Sequence, residues 1–352
     1  MTAERLDAPR DGAIDAVKAL AIVGVLCIHA SAPGFSQFAV GSFSWYVSLF
    51  WGTVLRAAVP LFFMCSGALL LHPDKKIPIK SVYTKYLLRI VLALVFWAAA
   101  YEIFDIILKL HAAGTVSWND FCTAFKNLVF FKHHFHLYYL HIMIIVYIFL
   151  PITRIVVKGA TKRQLQYALI LWAVFGILYP FARTYYPFNM LSGIPAQFTI
   201  NLTYAAIGYG VLGYYLKKYP MSSRASLLYF VGFLLAFCGT AVSSIIAGKP
   251  VTTYLEGMSP GVALMAAGIY IGAIALFKNR RAGTALKKIA LASFCIYLVH
   301  DFFNIALRGI GFTVFKLTPL LSIPLIVAVD FALSFCVYLI LKRIPIVKKY
   351  LI

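Results

Sequence analysis

Apolar runs of roughly 17 to 23 residues recur from one end of this 352-residue chain to the other, with short polar connectors between them. At 1.5 Å of helical rise per residue, each is long enough to cross a hydrocarbon layer about 30 Å thick. Ten are read, at 16–33, 51–72, 87–108, 136–157, 165–182, 196–216, 226–247, 258–277, 290–307 and 319–341. A segment in lipid has no water to satisfy its peptide groups, so each run is expected to be helical. The pattern predicts an all-α, polytopic transmembrane helix bundle of about ten spans, forming one domain over 1–352. Connector 109–135 is long enough for structure of its own.

Composition agrees. The chain is 62% hydrophobic and only 12% charged, with a mean hydropathy of +0.87, whereas soluble domains are about a quarter charged. A net charge of +21 would suit a polyanion partner, but its distribution gives a simpler reading. With the N-terminus inside, 24 of the 32 basic residues fall on that side, in the terminal segments, alternate connectors and the adjoining span ends. Both termini are therefore expected to be cytoplasmic, and no nucleic acid is needed. Ala30-Ser31-Ala32 resembles a signal cleavage site, but Asp15, Lys18 and His29 interrupt the profile and the segment reads as a span. Cys27, Cys65, Cys238, Cys295 and Cys336 lie within spans and Cys122 in an outer loop, which is neither a disulfide framework nor a metal spacing.

Ionisable side chains inside a bilayer are costly and mark functional candidates. The first span carries three. Lys18 and His29, eleven residues apart, fall within about 20° of one helix face, with Asp15 about 40° off the same line. A carboxylate and an ammonium near the inner edge thus share a stripe with an imidazole about 16 Å deeper. An Asp15–Lys18 pair with a snorkelling lysine is the purely structural alternative. His29 is either a neutral imidazole held by one hydrogen bond or a proton-transfer group.

In the second span Arg56 precedes Pro60, which should bend the helix, and Ser66-Gly67 should admit another helix closely. Ser66 is a nucleophile candidate with no partner visible by spacing. At 133–141, His133, His134, His136 and His141 are interleaved with Tyr138 and Tyr139 at an outer boundary. No carboxylate or cysteine stands nearby in sequence to complete a histidine set, so no metal is expected. His136 and His141 could face the interior. The adjacent pair His300-Asp301 points to different helix faces, and Asp330 should pair across helices.

Four of these segments, in this order, resemble the membrane acyltransferase-3 family of bacterial surface-polysaccharide O-acyltransferases. They are Lys18-x10-His29 with Asp15 before it, Pro60 to Gly67, His136 to Leu140 running on to Leu150-Pro151, and Ser293 to His300. The chain departs from the family where Lys18 replaces the commoner arginine and where only Arg89 remains of an arginine pair near Lys85. No hydrolase-like domain is appended, so the likeness is to stand-alone members.

The resemblance implies transfer of an acyl group, usually acetyl, from acyl-coenzyme A to a hydroxyl of a cell-surface or lipid-linked saccharide. In that reading His29 is the general base, with Lys18 and Asp15 on its stripe. Arg56, Ser66 and His136 are oxyanion-donor candidates, Tyr138 and His300 further substrate-binding candidates. Lys85 and Arg89, with Lys75, Lys76 and Lys80, would hold the donor's phosphates or merely set topology. Acetyl-CoA or another acyl-CoA is a co-substrate, no cofactor is bound, and the implied location is a bacterial inner membrane. A transporter or flippase for a polysaccharide precursor, or a non-catalytic export subunit, is the competing reading.

Overall fold

The computed structural model describes residues 11–132, 134–278 and 280–352. Among these there are helices and no strands. Nine helices are long and apolar enough to cross a membrane: α1 Gly12–Gln37, α2–α3 over Phe43–Leu70, α4 Ile79–Ala113, α6 Phe135–Gly159, α7 Lys162–Ala182, α9 Ser223–Ala247, α10 Thr253–Leu276, α11 Thr284–Gly309 and α12 Pro319–Leu341. The tenth expected span, 196–216, is shorter. Helix α8 runs Leu202–Lys218, 17 residues, because 3-10 turns occupy the segment before it, including Ile194–Phe198 with Pro195 in its first turn. Seventeen residues rise about 26 Å, the lower limit for a span.

The outward faces of α4, α9 and α12 leave Val95, Phe96, Ile103, Leu234, Ile246 and Leu321 exposed. Such a belt is a liability in water and ordinary in lipid. Connector 109–135 does fold, as α5 Trp118–Val129. Asp120 accepts from Ser117 there and pairs with Lys109, which holds its carboxyl down at about 2, the Lys109 contact being the main cause.

Helix α1 is the hub, packed against α2, α3, α10, α11 and α12. It starts at Gly12 rather than 16 because Asp11 caps it, accepting from Ala13 N at 3.0 Å and Ile14 N at 3.3 Å. The second span is broken, not merely bent: α2 is Phe43–Val54 and α3 is Ala58–Leu70. Pro60 lacks the N–H that a continuous helix would send to the Arg56 carbonyl, and its ring would strike that carbonyl, so residues 55–57 form a tight turn. Beyond the break, α3 meets α8 at backbone contact. A Cβ on Gly67 would lie 1.9 Å from Gly210 O, and one on Gly213 would lie 2.2 Å from Met64 O.

Candidate active site

The stripe on α1 divides between two environments. Its shallow end, Asp15 and Lys18, lines a cavity of about 1290 Å³ at the end of the bundle where α1 begins. Ser66 of α3, Lys85 and Arg89 of α4, and Tyr139 of α6 line it too, with Ser293 and Tyr297 of α11. The lysine is delivered by a π turn over Val82–Leu87, which tips that rim of α4 inward. A short helix, α13 Pro345–Tyr350, adds Lys348 and Lys349 to the cavity wall. It is tied down where Arg89 Nη2 donates to the Ile352 carbonyl and Trp97 Nε1 donates to Leu351 O at 3.0 Å. Arg89 is thus partly committed to the protein's own chain, while its Nε remains without a hydrogen-bond partner.

The deep end of the stripe, His29, is not in that cavity wall. Its ring is turned into the bundle, 4.9 Å from the His300 ring and 6.4 Å from the His136 ring between centroids. Three imidazoles predicted separately from three spans therefore meet. Their protonation is partly legible. His300 Nδ1 donates to Tyr297 O at 2.7 Å, since a carbonyl can only accept, and in the neutral ring this makes Nε2 a lone pair, with no partner among the described residues. Arg56, Arg308 and Asp301 are the charged neighbours of His29.

One aromatic layer separates cluster from cavity. Tyr297 lines the cavity, lies 6.2 Å from the His300 ring and 6.1 Å from the His136 ring, and donates its hydroxyl to the His136 carbonyl. Tyr139, also in the cavity wall, packs on it at 5.2 Å. Neither was singled out from sequence as a functional residue; both lie inside the motif segments 136–140 and 293–300, the one signal that could have drawn attention to them.

Neither Arg56 nor Tyr138 lines the cavity, and Arg56 meets the histidine cluster only as a charged neighbour of His29. Arg56 Nε donates to Leu255 O at 2.6 Å, fastening the broken span to α10, and Tyr138 and Glu256 are its charged or titratable neighbours. No carboxylate stands near these histidines in sequence, but Asp301 arrives from a distant helix. Its Oδ2 lies 3.4 Å from His134 Nδ1 and 3.5 Å from His136 Nδ1. On its far side His134 Nε2 lies 2.9 Å from Asp105 Oδ2. Held between two carboxylates, with the Asp105 hydrogen bond leading, His134 is raised to about 9. His141 packs on Phe131 instead, and His133 lies outside the described residues. As predicted, Asp330 pairs across helices, accepting from Asn304 Nδ2 at 2.9 Å, whereas His300 and Asp301, expected to point to different faces, both approach the His136 ring.

Comparison with curated proteins and with solved structures gives no significant match. A family model described as an acyltransferase domain matches residues 11–339, almost the whole chain. The protein, a helical membrane protein carrying the Lys18–His29 stripe and the three motifs that follow it, belongs to the acyltransferase-3 family.

Proposed function

We propose that this acyltransferase takes its acyl group, acetyl in the simplest case, from acyl-coenzyme A and passes it to a hydroxyl of a cell-surface or lipid-linked saccharide, with His29 as general base. The observation that carries this reading is the stacking of two compartments along α1: a large cavity with a basic wall, then one tyrosine layer, then three meeting imidazoles. A thioester donor with a polyphosphate tail suits a cavity lined by Lys18, Lys75, Lys85, Lys348 and Lys349.

The chemistry follows from the pKa mismatch between an alcohol and neutral water. An unassisted hydroxyl is a weak nucleophile at pH 7, and a neutral imidazole is suited to take its proton as the oxygen attacks the thioester carbonyl. The tetrahedral oxyanion then collapses, the carbon–sulfur bond breaks, and the thiolate leaves with the proton that His29 accepted. Ser66, in the cavity wall beside Tyr139, is an oxyanion-donor candidate on the cavity side of the tyrosine layer. Basic connectors that gather where α1 begins support a cavity mouth and both termini on the cytoplasmic side of an inner membrane, where coenzyme A is found. The tyrosine layer would have to shift for the acyl group to reach an acceptor at the histidines.

Purified protein incubated with radiolabelled acetyl-CoA and an acceptor membrane extract tests this. Wild type should form acylated product, and His29→Ala, still monodisperse, should lose about 10²- to 10⁴-fold in rate, the usual worth of a positioned base. Full activity in His29→Ala removes His29 from that role. The broken second span is also a feature of transporters; translocation of saccharide without thioester consumption would favour that reading.

A further inference from the structure

We infer that His134, His136 and Asp301 form a binding site for a divalent transition-metal ion, zinc being the best fit, distinct from the acyl-donor cavity. Three ligand atoms, from the connector just before α6, from α6 itself and from α11, lie within 4.8 Å of one another. The two measured edges, 3.4 and 3.5 Å from Asp301 Oδ2 to the two Nδ1 atoms, are long for charge-assisted hydrogen bonds, which close to about 2.7–2.9 Å. They are close to the ligand–ligand edge of about 3.3 Å in a tetrahedron with metal bonds of 2.0–2.1 Å. A cation between them, drawing in the third edge from within 4.8 Å, would satisfy all three groups at once.

Two further observations point the same way. His136 is only 3% exposed; its Nε2 has no hydrogen-bond partner among the described residues, and its Nδ1 faces the Asp301 carboxylate at 3.5 Å, longer than a normal hydrogen bond. A buried imidazole so poorly satisfied is costly, and a metal ion at Nδ1 would complete that side of it. His134 has the arrangement expected of a metal ligand, one nitrogen turned to the site and the other held by the Asp105 carboxylate at 2.9 Å. Two imidazoles and one carboxylate favour zinc or a neighbouring d-block ion over magnesium or calcium, which prefer oxygen. Three protein ligands leave a fourth position for water or a hydroxyl oxygen. The half-exposed Asp105 and the partly exposed His134 mark the route by which an ion reaches the site.

The experiment reads metal, so it is independent of acyl transfer. Protein purified without a histidine tag is stripped with chelator, supplied with zinc, desalted and assayed by elemental analysis. About one zinc per chain is expected for wild type and for His141→Ala, a nearby histidine outside the site. His134→Ala and Asp301→Asn should each hold less than about a fifth of that. Asp105→Asn should still bind, with affinity reduced about 10- to 100-fold. Cobalt titration of wild type should give the visible d–d bands of a four- or five-coordinate site without thiolate absorption, a readout that survives if His134→Ala fails to fold. Wild type retaining no zinc, or equal zinc in wild type, His134→Ala and Asp301→Asn, overturns the assignment and leaves His134 as a protonated bridge between two carboxylates.

Discussion

The contact between α3 and α8 makes a sharp prediction, because three glycines on it differ in what a single methyl group would meet. At Gly67 the new Cβ would sit 1.9 Å from the Gly210 carbonyl oxygen, and at Gly213 it would sit 2.2 Å from the Met64 carbonyl oxygen. Ordinary contact begins near 3.4 Å, so Gly67→Ala must push two backbones apart by about 1.5 Å, and no flexible side chain can yield instead. Overpacking of this kind typically costs about 1–3 kcal/mol, and backbone against backbone belongs at the upper end. At Gly210 the nearest atom is Gly67 Cα at 3.6 Å. Alanine fits there, and its helix preference offsets what little it disturbs. Thermal unfolding in detergent, followed by loss of the monodisperse chromatographic peak, should show Gly67→Ala and Gly213→Ala melting several degrees below wild type. Gly210→Ala should stay within about a degree. Activity should follow the same order, because Ser66 and Phe62 on α3 line the cavity and would move with it. Equal melting shifts for Gly67→Ala and Gly210→Ala would refute the close approach of these helices.

Two further outcomes are expected. Lys18→Ala should depress acyl transfer more than Lys75→Ala: Lys18 is on the α1 stripe, whereas Lys75 Nζ already serves the Leu69 carbonyl at the end of α3, at 3.2 Å; equal losses would contradict the ranking. At acid pH α5 should loosen. Asp120 titrates at about 2 in the folded protein, below the roughly 3.9 of an unfolded chain, so its contribution is present above about pH 4 and is lost as pH falls through 2. Hydrogen exchange over 118–129, corrected for intrinsic rate, should rise across that interval in wild type. Asp120→Asn should show no such rise.

Reading the chain in one dimension worked where the physics is local. A bilayer imposes its length on each apolar run, so nine of ten spans are legible, and the tenth is shortened by a proline-containing turn that hydropathy alone does not see. The common face of Lys18 and His29 follows from helix geometry, and Pro60 foretold a disturbance at Arg56. The amplitude of that disturbance, a break rather than a bend, depended on a partner: Arg56 reaches Leu255, 199 residues away.

Which charged and polar groups meet is a different matter, because a spacing of two or three residues says nothing about a helix that returns more than 150 positions later. Tertiary packing put Asp15 and Lys18 in one compartment and His29 in another, although they share one stripe. It set Tyr139 and Tyr297 between those compartments. It also brought Asp301 of α11 to His134 and His136, supplying the carboxylate that local sequence lacked. The amino-acid order by itself determined the solvent, the helical class and the stripe on α1, since each arises from contacts with lipid or within one helix turn. Only the folded bundle decided the site, since its members are neighbours through the packing of α1, α4, α6 and α11 and through nothing nearer along the chain.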